Sequence, residues 1–336
     1  MRWVLVCFLP ALAAGQSWSQ QSSGTSSSFR AVGAVSAKVA WASGTGGTWL
    51  RTDDGGATWK SGKVPGAESL DFRALYAADA NTAWLMSIGN GDQSRIYKTA
   101  DGGGHWKLLF TNPDAKGFFD GLAFWDPAHG ILVGDAVEGR MTVFTTEDGG
   151  EHWTRRQTPP AIEGEGAFAA SNSCLIVRGS AEAWFATGGK GAARVFHSTD
   201  SGRSWTVAPT PIRSDSASAG IFSLAFADAL HGIAVGGDYS KADDPAHNIA
   251  LTSDGGKTWT EPSGTPPAGF RSAVVYLPDA HLWIAVGASG SDVSSDSGRT
   301  WRNFDRGNFN AVSFASRDAG WAAGPRGRIA AIRWEH

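Results

Sequence analysis

The sequence predicts an all-β protein, a seven-bladed β-propeller with Asp-box repeats that is closed by its own N-terminal strand. Three observations carry this. An eight-residue box recurs six times, a fainter pattern recurs seven times, and short strand-like runs fill the spaces between them. Self-similarity at a period of roughly 20–50 residues marks a repeat architecture.

The box reads Ser/Thr-x-Asp-x-Gly-x-(Thr/Ser/His)-Trp. It stands at 52–59, 99–106, 146–153, 198–205, 252–259 and 294–301, with Trp-to-Trp intervals of 47, 47, 52, 54 and 42. Its chemistry is that of a tight turn. An Asp carboxylate accepts from backbone N–H groups a few residues on, and Gly supplies positive φ. The closing Trp brings a large ring, roughly 150–250 Å², to pack between neighbouring sheets. Asp54, Asp101, Asp148, Asp200, Asp254 and Asp296 come one per unit and read as structural. His105 and His152 replace Thr or Ser in two boxes and read as turn residues.

The second pattern places Trp41, Trp84, Ile131, Trp184, Ile233, Trp283 and Trp321 three or four residues before Gly or another small residue. Around Ile131 the strand-like runs are 121–125, 130–134, 141–145 and 153–157. They are β-branched or aromatic and bounded by Gly, Asp, Asn and Ser, as antiparallel strands are. No stretch keeps a helical period. Four strands repeated seven times make a propeller. The last unit, 309–334, holds three strands and then the chain stops. Trp18-Ser19-Gln20-Gln21 begins like the strand after a box, so the N-terminus is expected to complete the last blade and remove an open edge.

The first 15 residues read as a secretory signal peptide. Arg2 precedes an apolar stretch over 3–12, and Ala11, Ala13, Ala14 and Gly15 offer small residues for cleavage. The propeller then covers 16–336, and the expected location is periplasmic or secreted. Cys7 leaves with the leader, so Cys174 stays single and no internal disulfide forms. The chain has 29 Lys and Arg against 32 Asp and Glu, which speaks against nucleic acid because phosphate binding needs a basic face. No apolar run approaches the roughly 18 residues of a membrane span. His residues are scattered without metal-ligand spacing, and no dinucleotide Gly fingerprint occurs, so no metal and no cofactor are expected.

The boxes are similar to the Asp-box, or bacterial neuraminidase repeat. With the size, the sevenfold count, the leader and phrases such as Ser253-Asp254-Gly255-Gly256-Lys257-Thr258-Trp259 and Gly320-Trp321-Ala322-Ala323-Gly324, the chain most resembles the photosystem II stability/assembly factor-like propellers. The resemblance covers the whole mature chain. It implies a protein-binding scaffold or assembly factor. Sialidases carry the same box, so the resemblance also admits an exported glycoside hydrolase or a carbohydrate-binding propeller.

In a propeller the boxes join third and fourth strands on one face. The opposite face carries the remaining loops, where function usually lives. Arg30, Arg73, Asp120 and Arg271 begin innermost strands beside Phe29, Phe72, Phe119 and Phe270. Asp135, Arg140, Asp238, Tyr239, Asp292 and Arg326 stand in loops of the same face. We expect Arg30, Arg73, Asp120, Arg140, Asp238, Tyr239, Arg271, Asp292 and Arg326 to form a binding surface at the channel mouth. Asp243, Asp244 and His247 read as loop solvation. For sialidase chemistry a Tyr nucleophile, its Glu and an acid/base Asp are required. Tyr239, Glu165 and Asp135 are the candidates, and Glu163 with Glu165 and Asp238 form a further carboxylate set. The Arg-Ile-Pro signature of sialidases is absent. The reading is therefore a monomeric, non-enzymatic protein-binding propeller.

Overall fold

The structure, a computed structural model, describes residues 15–334; the expected leader lies, Gly15 aside, outside the described residues. Seven antiparallel sheets follow one another around a ring. The first is β2 (Phe29–Ala34), β3 (Ala40–Gly44), β4 (Thr48–Thr52) and β5 (Lys60–Lys63). The second is β6 (Asp71–Ala77), β7 (Ala83–Ile88), β8 (Arg95–Thr99) and β9 (Lys107–Thr111). The third is β10 (Phe119–Phe124), β11 (Gly130–Val137), β12 (Arg140–Thr146) and β13 (Thr154–Arg156). The fourth is β14 (Leu175–Arg178), β15 (Glu182–Ala186), β16 (Arg194–Ser198) and β17 (Thr206–Pro209).

The fifth blade has three strands, β18 (Ala219–Phe226), β19 (Gly232–Asp238) and β20 (Ile249–Thr252). Its outer strand shrinks to a single bridge between Leu251 and Thr260, because Pro262, Pro266 and Pro267 follow and proline has no N–H for a ladder. The sixth blade is β21 (Ala273–Leu277), β22 (Leu282–Gly287), β23 (Gly290–Ser294) and β24 (Arg302–Asp305). The seventh joins β25 (Ala311–Ser316), β26 (Ala319–Ala323) and β27 (Ile329–Trp334) to β1 (Gln16–Gln21).

The last sheet closes the ring as the missing strand requires. Gln16 pairs Trp334, Trp18 pairs Ile332 and Gln21 pairs Ile329. Trp18 is 8% exposed and packs on Phe304, Phe309 and Phe314, and its Nε1 donates to Ser291 Oγ at 2.9 Å. One buried ring therefore ties blade seven to blade six.

The core sits between the sheets. Trp41, Trp84 and Trp184 are fully buried, with Trp283 and Trp321 nearly so, and all stand on second strands. The box Trp residues contribute less than the sequence suggested: only Trp259 and Trp301 are buried, and the other four are half-buried at the sheet margins. The Gly that ends the second pattern allows two backbones to meet. A Cβ at Gly44 would lie 2.2 Å from Ser28 O, and one at Gly236 would lie 1.9 Å from Gly220 O. No side chain fits there.

Each box folds on itself. In the first, Thr52 Oγ1 donates to Asp54 Oδ1 at 2.8 Å and accepts from Gly56 N at 2.8 Å. Asp54 Oδ1 accepts from Thr58 N at 2.9 Å and Oδ2 from Thr58 Oγ1. Buried Trp side chains then latch neighbouring blades: Trp84 Nε1 donates to Gly149 O and Trp184 Nε1 to Gly255 O.

Candidate functional site at the channel mouth

On the face opposite the boxes, the inner strands open into a cavity of about 560 Å³. The backbone makes it in a repeated way. In β2 the pairing skips Arg30, in β6 Arg73, in β10 Asp120 and in β18 Phe222. Each skipped residue is a β-bulge, and a bulge re-aims its side chain. All four line the cavity, while Phe29, Phe72 and Phe119 beside them point into the core and are fully buried.

Blade six lacks this bulge. Its inner strand begins only at Ala273, so Phe270 lines the cavity and Arg271 turns inward. Arg271 is fully buried in an ion pair with Asp292, Nε to Oδ2 at 2.5 Å, and Nη1 also donates to Ser289 Oγ. Asp292 is therefore occupied as well, with Asn303 donating to its other oxygen.

The cavity has three walls of different chemistry. Arg30 and Arg73 form the first. Arg73 Nε donates to Asp71 Oδ2 at 2.8 Å, whereas Arg30 has no hydrogen-bond or ion-pair partner among the described residues. Burial, then the neighbouring Arg73, pull the Arg30 pKa below its usual value. Asp120 and Asp135 form the second wall. Burial raises both carboxyl pKa values, and at Asp120 the charge of Asp135 raises it further. Ionising both in so dry a wall is unfavourable, so the pair favours holding one proton between them. Asp135 Oδ1 also accepts from Ala167 N at 3.1 Å, which anchors the loop that carries Phe168. The third wall is aromatic. Phe168 and Phe222 stack with centroids 3.9 Å apart, Phe270 meets Phe222 edge-on, and Tyr239 stands across both at the rim, 56% exposed.

The remaining candidates lie elsewhere. Glu165 is buried beside Arg194, Nε to Oε1 at 2.8 Å, and takes further bonds from Thr187 Oγ1 and Ile162 N. It does not line the cavity with Tyr239 and Asp135, so the structure does not assemble that trio. Asp238 is buried under the rim. Burial disfavours its charge, but donors from Ser240, Ser218 and Ser216 outweigh that and hold its pKa at about 2. Arg140 reaches Thr158 O, and Arg326 sits at positive φ in the turn before β27. Asp244 pairs Arg213, and His247 faces Glu261. Phe168, Phe222, Asn308 and Asn310 line the cavity without having been singled out from sequence. The bulge is the signal that finds Phe222, since it occupies the place of Arg30 in its own blade.

A larger groove, about 730 Å³, runs along the outer wall between blades six and seven beside Trp301, Arg317 and Trp334. We place the functional site in the channel-mouth cavity, because charges of both signs from separate blades converge there. Among the described residues no three His, Cys, Asp or Glu side chains gather as metal ligands would, and no helix is long and apolar enough to cross a membrane.

Solved structures of the same shape are numerous. YCF48 bound to D1 peptide superposes with a TM-score of 0.67 at 18% identity, covering 95% of this chain and 97% of that one. YCF48 from Cyanidioschyzon merolae gives 0.64 at 17%, covering 95% and 98%. The WD40 β-propeller domain of Doa1 gives 0.64 at 13%, covering 95% and 97%. The fold is a seven-bladed β-propeller. No family model matches the chain, and no curated protein matches it.

Proposed function

We propose that the chain is an exported propeller of the Asp-box kind that binds a protein partner through the face around the channel mouth, as a scaffold or assembly factor and without catalysis. The observation that carries this reading is the rim itself. Tyr239, a large exposed aromatic, stands beside Phe168 and Phe222 and across an open cavity from the unpaired Arg30. An exposed aromatic anchor beside charged groups is the composition of a recognition surface. The likeness to a YCF48 solved with a D1 peptide supports the same direction, since that propeller holds a peptide. Export is supported by Arg2, the apolar stretch after it and the small residues that end at Gly15. A monomer is the state we propose, since β1 of the same chain completes the last blade and no second chain is needed to close the ring.

The test is site-specific photocrosslinking in the producing cell. A crosslinker at position 239 should trap a discrete partner, and one at position 147 on the box face should not. Equal labelling from both positions, or none from 239, counts against the reading. N-terminal sequencing of the mature chain should begin near Gln16; retained Met1 would remove export.

A further inference from the structure

We propose that the floor of the channel-mouth cavity binds an α-amino-acid-like zwitterion. Its ammonium would sit on Asp120 and Asp135, its carboxylate on Arg30 and Arg73, and its apolar side chain on the Phe168–Phe222 wall. This site lies below the rim and shares Arg30, Phe168 and Phe222 with the surface proposed for a protein partner, but small-molecule binding there does not depend on that partner.

The walls contain polar capacity of both signs that the fold does not use. Asp120 is 1% exposed, yet its Oδ2 has no hydrogen-bond partner among the described residues. Arg30 is half-buried without a partner among the described residues. Asp71 and Ala169 O satisfy only part of the Arg73 guanidinium. Burying charge without compensation is costly, and a fold gains nothing from it alone. The bulges that aim Arg30, Arg73 and Asp120 inward also interrupt their ladders, so they serve the cavity and not the sheets.

Charge selects the ligand class. A simple anion would meet the carboxyl pair, and a simple cation would meet two arginines. A molecule with both charges a few ångströms apart satisfies both walls. The third wall is apolar, and the volume of about 560 Å³ lies within the roughly 300–1,000 Å³ of ordinary small-molecule sites.

The ammonium would replace the shared proton. The groups facing Asp120 are Asp135 on β11, Arg73 on β6 and the buried thiol of Cys174, whose own pKa burial pushes up; Arg30 and Asp71 face Arg73. Binding should therefore release a proton and strengthen as pH rises, up to the point where the ammonium itself deprotonates.

The experiment is calorimetric titration of the full protein with L-phenylalanine, phenethylamine, which lacks the carboxylate, and hydrocinnamate, which lacks the ammonium. Phenylalanine should bind saturably, and each analogue should bind at least about tenfold more weakly. Affinity should be greater at about pH 8 than at about pH 4, close to the ordinary carboxyl value, with heats at the lower pH that depend on the buffer as proton release requires. In Asp120→Asn the pH dependence should vanish. In Arg30→Gln phenylalanine and hydrocinnamate should weaken while phenethylamine does not. The wild-type comparison of three ligands stands even if a variant fails to fold. No saturable heat at phenylalanine concentrations on the order of 10 mM, an analogue that matches phenylalanine, or an affinity indifferent to pH would each overturn the proposal.

Discussion

On the box face, Asp54 keeps its charge to unusually low pH. The hydroxyl of Thr58, the Thr58 amide and the hydroxyl of Thr52 all donate to it and hold its pKa at about 2. At the channel mouth, Asp120 shows the opposite. Burial and then the Asp135 charge raise its pKa above the usual value of 3.8. Both residues directly precede a Gly, and both stand on a local backbone device that recurs around the ring, the turn in one case and the bulge in the other. The difference is what surrounds the carboxyl: donors two to four residues away along the chain, or the carboxyl of the neighbouring strand in a dry wall that other blades complete. Local partners give six near-identical copies, whereas partners from separate blades give one site.

Ring closure belongs to neither face, so damage there should disable both. Replacing Trp18 by Ala removes a buried ring from the seam between blades six and seven, and such truncations cost about 3–5 kcal/mol. We expect the largest drop in melting temperature of any single change considered, together with association through the loosened edge of β27, read by light scattering. A variant that melts with the parent and stays monomeric contradicts the role of β1.

A box change should damage stability alone. Thr252→Val leaves the buried Gly256 N–H without its acceptor and removes a donor from Asp254. The expected cost is about 1–3 kcal/mol in chemical denaturation, with calorimetric phenylalanine binding unaltered. Loss of binding at unchanged stability would erase the distinction between the faces.

The two carboxyl environments also set opposite limbs of a pH–stability profile. Asp54, Asp148 and Asp254 have folded pKa values of about 2 against 3.8 in the unfolded chain. Their contribution is present above 3.8 and lost as pH falls toward 2. The Asp120–Asp135 pair is shifted upward, so the folded state holds its proton beyond 3.8 and stability falls as pH rises through the raised pKa. Asp120→Asn should therefore raise the melting temperature at about pH 8 and leave it unchanged at about pH 3, below the unfolded value. A gain of equal size at both pH values would show that the pair does not share a proton. The smallest effect is expected from Arg30→Ala, within about 0.5 kcal/mol of the parent, because no described partner is lost.

Much of the ring could be read from residues alone. The box is complete within eight positions, so Thr or Ser at the first, Asp at the third, Gly at the fifth and a hydroxyl or His at the seventh specify the turn. The missing final strand was countable for the same reason, and β1 fills it in register. The cavity was only partly legible. Arg30, Arg73 and Asp120 follow a Phe at strand starts, and all three line the channel-mouth cavity. The same Phe-Arg pair at 270–271 points the other way, because blade six omits the bulge and inverts the parity of the two side chains.

Partners far apart in sequence decided the rest. Glu165 was taken up by Arg194, and Asp292 by Arg271, before either could face the channel. Asn172 brackets Leu75 from 97 positions away and fixes the loop that presents Phe168 beside Phe222. Hydrogen bonding within a turn depends on the order of neighbouring residues and is written in that order. The pKa of a carboxyl and the contents of a cavity depend on what several blades bring within a few ångströms, and no single blade's sequence contains that information.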